Sequence, residues 1–179
     1  MADKILMNKN TLAQLKIELK EYKTALPVFE MKEQQLKESV QFVEHSIERL
    51  SQAIAATNAS TKTWAGVMAE DTIDLATVVN IDKVSTTTKE IAGVTIEEFK
   101  GITFKPNDID LFNTPLWMDS AIVAIQDQKT DYALIAIEKR NLESLHDELA
   151  EARRMKNALK EVLQKLECFP SHKIPSLLK

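Results

Sequence analysis

The residues whose types could do chemistry are few: three histidines, one cysteine and a handful of charged clusters. His45, His146 and His172 stand far apart, and none has a second metal ligand within a helix turn. The single Cys168 builds neither a zinc site nor an internal disulfide. Each histidine therefore reads as a solvated helix-surface residue. Glu143, Asp147, Glu148 and Glu151 make one acidic helix face, which is ordinary solvated charge. The chain has three glycines, and neither G-x-x-x-x-G-K-S/T nor G-x-G-x-x-G occurs, so no phosphate cradle is encoded. Serine, histidine and aspartate are present without the spacing of a triad. No catalytic, cofactor-binding or metal-ligating residue follows, and the chain is not expected to be an enzyme.

What remains is recognition. Arg153, Arg154 and Lys156, with Lys160 one turn on, form the densest positive patch in the sequence. Basic residues near a helix C-terminus also complement the macrodipole, so the patch reads either as helix stabilisation or as an electrostatic contact surface. The second candidate is the β-branched stretch carrying Ile91, Gly93, Val94 and Ile96. An unpaired strand edge is a liability unless a partner covers it, which makes this stretch a candidate contact.

The elements that position these residues are legible from periodicity. From Leu12, apolar residues fall at Leu15, Leu19, Tyr22, Leu26, Phe29, Leu36, Val40, Val43, Ile47, Leu50 and Ile54. The steps alternate between three and four, with a single interruption at Glu33. That is a narrow seam on a long helix, which needs a partner helix. Asn10 and Thr11 are placed to cap it. Pro27 lies inside; the seam stays in phase across it, so it predicts a kink rather than a stop. The helix is expected to fade beyond Ile54 and reach about Met68, with Gly66 a weak point.

A second helix is expected from Leu116, with Met118, Ala121, Ile125, Tyr132, Ile135, Leu142, Leu145, Leu149, Ala152, Leu159, Leu163 and Leu166 on its seam. The step from Leu142 to Leu145 predicts local overwinding. Gln128, Lys139 and Lys156 intrude as polar residues. The helix stops by Phe169-Pro170, before a tail. Between the helices, Thr77 to Phe104 is rich in β-branched residues and predicts one or two short strands in a hairpin-like segment. The fold class is thus mostly α: a long antiparallel two-helix coiled coil, residues 1–70 and 115–179, with a β-rich insert at 71–114. Two helices of roughly 55 residues would each be about 80 Å long. An antiparallel pairing whose residue numbers sum to about 181 places Leu50 beside Asp131 and Ile135. It also places Leu12 beside Leu166 and Phe169, and Trp64 beside Trp117.

Composition agrees. Charged residues make up 28% of the chain and the formal net charge is −4, so nothing electrostatic favours nucleic acid. There is no N-terminal apolar signal region, and the apolar runs at Ala121–Ile125 and Ala133–Ile137 are far below the about 20 residues of a membrane span. A cytoplasmic location is expected.

In order and position, several local patterns resemble the D subunit, the central-stalk axle of V-type and archaeal-type rotary ATPases, in its compact bacterial form. Leu12-Ala13-Gln14-Leu15-Lys16 through Leu26-Pro27 to Lys32 and Leu36 resembles the family's first helix. Lys89-Glu90-Ile91-Ala92-Gly93-Val94-Thr95-Ile96 resembles its alanine–glycine–valine stretch. Arg153-Arg154-Met155-Lys156-Asn157-Ala158-Leu159-Lys160 resembles its arginine-rich asparagine–alanine–leucine signature, with Lys156 where the family tends to have valine and Lys160 where it tends to have glutamate. Its isoleucine–proline is here Ile174-Pro175.

The resemblance implies a shaft without catalysis or cofactor, turned by a ring of catalytic A and B subunits. Its rotation would drive proton or sodium transport, or ATP synthesis in reverse. It implies a small F subunit alongside in the stalk, a C/d socket linking to the membrane rotor, and attachment to the membrane only through that complex. The tip (residues 1–25 and 155–179) would enter the ring, with Asn157 joining the basic patch as a contact. Pro27 and Glu33 read as a bend in the shaft. A prefoldin-like coiled-coil chaperone and the stalk protein of a secretion-system ATPase share parts of this pattern. Apolar mobile tips would favour the first, and absence of the insert the second.

Overall fold

A computed structural model describes residues 9–68, 79–106, 115 and 117–167. Four elements follow in order: α1 (Lys9–Met68), β1 (Ile81–Ile91), β2 (Val94–Phe104) and α2 (Met118–Glu167). The fold is mostly helical, with two long helices in contact and a two-stranded antiparallel hairpin between them. Helix α1 starts at Lys9, so Asn10 and Thr11 lie in its first turn rather than ahead of it. It runs through Pro27 without a stop and past Gly66 to Met68. Pro27 is on the exposed side while Leu26 and Phe29 beside it are half-buried, so the seam holds across the proline.

The strands are longer than the sequence suggests, at 11 residues each. Ile91 pairs with Val94 across a two-residue turn in which Ala92 has φ 51° and Gly93 φ 87°. Positive φ at both central residues marks the turn type whose twist matches the flanking strands. Register shifts leave Asp82 and Lys100 as bulged residues.

Two compact units divide the chain. The first is Met1–Lys37 with Asp147–Lys179, and the second is Glu38–His146. In the first, Leu36 of α1 and Leu149, Ala152 and Leu163 of α2 are buried. Lys23 pairs with Glu167 at 2.7 Å, Glu30 with Lys160 at 2.9 Å and Lys32 with Glu148 at 2.5 Å. Numbers rise on one helix as they fall on the other, so the helices run antiparallel. In the second, Val40, Val43 and Ile54 of α1 are buried, as are Met118, Ala121, Ile137 and Leu145 of α2 and Val79 and Val94 near the hairpin. Glu44 there meets His146 at 3.7 Å, and Asn58 accepts a hydrogen bond from Gln128.

The register differs from the expected one. The expected pairing sets Glu30 opposite residue 151 and Glu44 opposite residue 137; their partners are Lys160 and His146, about two and a half turns further along α2. Lys32 with Glu148 stays close to the expected pairing. Part of the offset is side-chain reach. The rest is a shift of the pairing itself, since Asn58 meets Gln128 and their numbers sum to 186 rather than 181. The expected neighbours Leu12, Phe169 and Trp64 lie outside the described side chains.

The α2 seam is also corrected. Tyr132 is 51% exposed, and Lys139 points to solvent rather than into the seam. The buried positions are Ile137, Asn141, Leu145, Leu149 and Ala152. Three successive steps of four, one of them through Asn141 beneath β2, replace the expected step of three at Leu142. The cause is Asn141, a polar residue that apolar periodicity passes over.

Candidate partner-binding surfaces

Helical spacing splits the basic cluster into two faces. Residues three apart share a face, so Arg153 goes with Lys156 and Arg154 with Asn157. Arg153 Nε lies 3.4 Å from Glu33 Oε1, and Lys156 Nζ donates to Glu33 Oε2. Lys160 is taken by Glu30. Arg154 and Asn157 are on the exposed face, with Arg154 3.7 Å from Glu151 on its own helix. Of these five residues, three turn toward α1 and two remain turned outward.

Glu33 is the centre of this arrangement, although apolar periodicity shows it only as an interruption of the seam. It is 6% exposed. Lys37, one turn along α1, holds the same carboxylate at 2.7 Å. The hydrogen bonds from Lys156 and Lys37 bring its pKa from 4.5 down to about 2, against the opposing effect of burial. A signal exists in the sequence: Lys156 interrupts the second seam as Glu33 interrupts the first. Asn58 with Gln128 repeats the pattern with neutral groups, each polar seam residue meeting another.

At the hairpin, Gly93 is exposed in the turn, Ile91 and Ile96 are half-buried, and Val94 is 8% exposed and belongs to the core. The residues that tie the hairpin to α2 are different ones. The Asn141 amide donates to Glu97 O at 2.7 Å, and the Glu97 N–H donates to Asn141 Oδ1 at 2.9 Å. Counting from the Ile91–Val94 pair at the turn, Glu97 faces Thr88 in a pair that exchanges no backbone hydrogen bonds. Its N–H and C=O therefore point away from β1, and one buried side chain satisfies both as an added strand would. Arg140 meets the Glu97 carboxylate at 3.1 Å, and Lys129 donates to the carbonyl of Val79. One turn before Asn141, burial pushes the Glu138 carboxyl up, partly offset by a hydrogen bond with Asn141.

His45 and His146 are exposed and lie near Glu48 and Glu44 respectively. His172 and Cys168 lie outside the described residues. Among the described residues no group of three histidine, cysteine or acidic side chains is placed to hold a metal, and no helix is long and apolar enough to cross a membrane. The acidic face resolves into local pairing: Glu148 with Lys32, and Glu151 with Arg154. What the arrangement can do is tie α1 to α2 in the first unit, tie the hairpin to α2 in the second, and offer charged faces to a partner.

A family model for the D subunit of ATP synthase matches residues 11–164, which takes in both helices and the hairpin. The chain is 33% identical over 121 residues to the D subunit of the V-type ATP synthase of Borreliella burgdorferi, a match covering 66% of this chain. That match spans 58% of the relative's own length, so the chain aligns with little more than half of it.

Proposed function

Because the chain belongs to the family of ATP synthase D subunits, we propose that it is the central-stalk shaft of a V- or A-type rotary ATPase. In this role it carries torque between a ring of catalytic A and B subunits and a membrane rotor, and it performs no chemistry itself. The small F subunit of the stalk binds alongside and the C/d socket links it to the rotor, so it attaches to the membrane only through the complex. Residues 1–70 and 115–179 form the stalk and residues 71–114 the insert, whose Ile91–Ile96 end faces the socket. The observation that supports this reading is the long antiparallel helix pair, tied across its buried seam by the Glu33 cluster. A long helix pair with a buried cross-helix tie suits a shaft, and among the described residues no group of three histidine, cysteine or acidic side chains is placed to hold a metal.

Coexpression with its operon neighbours tests the proposal. The chain is expected to copurify with ATPase catalytic subunits and a small stalk protein; copurification with prefoldin-type subunits instead would reject it. For the basic patch, Arg154→Glu is the clean probe, because Arg154 faces outward while Arg153 also holds Glu33. Arg154→Glu is expected to lower the coupled ATPase turnover of the assembled motor with helix content unchanged. Unaltered turnover would reduce the outward patch to helix stabilisation.

A further inference from the structure

We propose that Glu33 and Lys156 form a register lock, which permits one axial alignment of α1 and α2 in the first unit and forbids the alignments one heptad away. The lock is independent of the shaft reading and would act in the isolated chain. It starts from the seam itself. One heptad to either side of Lys156 stand Leu149 and Leu163, both buried. One heptad before Glu33 stands Leu26, half-buried on the same seam. If α2 slid by seven residues within the first unit, its buried apolar positions would again meet apolar positions of α1, because the heptad repeats there. The exception would be Glu33, whose carboxylate would keep Lys37 of its own helix but face Leu149 or Leu163 in place of Lys156. A buried carboxylate that loses its partner is strongly destabilising, while the same two positions filled with apolar residues are often neutral or better. The pair therefore adds discrimination between registers rather than net stability.

Geometry supports a lock over an incidental surface pair. Glu33 is 6% exposed, and the Lys156 side chain retains 19% of its exposure. The carboxylate engages three cations at once: Lys156 and Arg153 from α2 and Lys37 from its own helix. By contrast, Lys23–Glu167 and Glu30–Lys160 keep about half of their side-chain exposure, so water can replace either partner after a slide.

The test measures register directly. In the full chain with Cys168→Ser, spin labels on cysteines at exposed positions 20 of α1 and 161 of α2 report the axial offset as a distance distribution. With Glu33 and Lys156 present, one distance is expected. In E33L/K156L a second population displaced by one heptad, about 10 Å along the axis, is expected to appear with melting temperature unchanged or raised. A single unshifted distance in E33L/K156L would overturn the lock. So would failure of that variant to fold, because the proposal requires apolar replacement to be tolerated. E33L alone is the second probe, since the Lys156 stem can carry its ammonium to solvent. Two populations are expected there as well, and one population would again overturn the proposal.

Discussion

Among the described residues, Glu33 and Asn141 are the two buried polar side chains on the helices, and they solve the same problem in different ways. Glu33 belongs to the unit made from the start of α1 and the end of α2, where it is satisfied by charged side chains. Asn141 belongs to the unit that bears the hairpin, where it is satisfied by strand backbone. A carboxylate is an acceptor only and carries charge, so it selects a cation and with it an axial position. A primary amide is both donor and acceptor at fixed spacing, so it matches the N–H and C=O of one strand residue. The difference shows how one helix pair can specify both alignment to a second helix and attachment of a sheet edge. An isolated two-stranded hairpin is marginal in water, and Asn141 supplies the third-strand hydrogen bonds that β2 lacks.

Perturbations of this comparison rank by how much buried polarity they orphan. Lys156→Met is expected to be the most damaging. It should lower unfolding free energy by about 2–3 kcal/mol, less than the about 3–5 of a fully orphaned charge because Lys37 and Arg153 remain. Urea titration measures it. The same variant sharpens the pH dependence. Glu33 titrates at about 2 in the folded chain against 4.5 for an unperturbed carboxyl. Its contribution is thus complete above the ordinary carboxylate range and is lost as pH falls from there toward 2. Lys156→Met should flatten that acid slope, and an unchanged slope would mean that Lys37 and Arg153 suffice to hold the carboxylate.

Asn141→Leu should cost about 2 kcal/mol by leaving the Glu97 backbone groups without partners. Hydrogen exchange should quicken at the Glu97 amide while amides around Leu36 stay protected; uniform quickening would mean that the clasp supports more than the hairpin. At the turn, Ala92 is a non-glycine residue at φ 51°. Ala92→Asn relieves this and should stabilise the hairpin by about 1 kcal/mol, read as a rise in melting temperature. The smallest effect is expected at Gly66, where an added Cβ meets nothing within 4 Å. Gly66→Ala should add about 0.5–1 kcal/mol of helix stability, read by circular dichroism.

Much of the fold is written in the spacing of apolar residues. Periodicity places Leu36, Val40, Val43 and Ile54 on a seam, and they are buried. The hairpin follows from β-branched residues around Gly93, with the turn at Ala92-Gly93. The candidate sites are less legible. In sequence Arg153, Lys156 and Lys160 make one patch with Arg154, yet their helical angles send them toward α1 while Arg154 turns outward. Asn141 has no sequence signal at all, because an asparagine beside Leu142 looks like an ordinary exposed helix residue until a strand lies against it.

By itself the sequence determined the elements: two long helices with one apolar seam each, a β-rich insert between them, and polar interruptions at Glu33, Gln128 and Lys156. Local periodicity and propensity are properties of neighbouring residues, so they can be read without a partner. Only the tertiary structure decided which interruption meets which, and which strand residue Asn141 grips. Those choices depend on where α1 ends and α2 begins, and so on residues far apart in the chain. A heptad repeats too regularly to say which of its copies faces which; a buried charge does not repeat, and it needs its partner in one place.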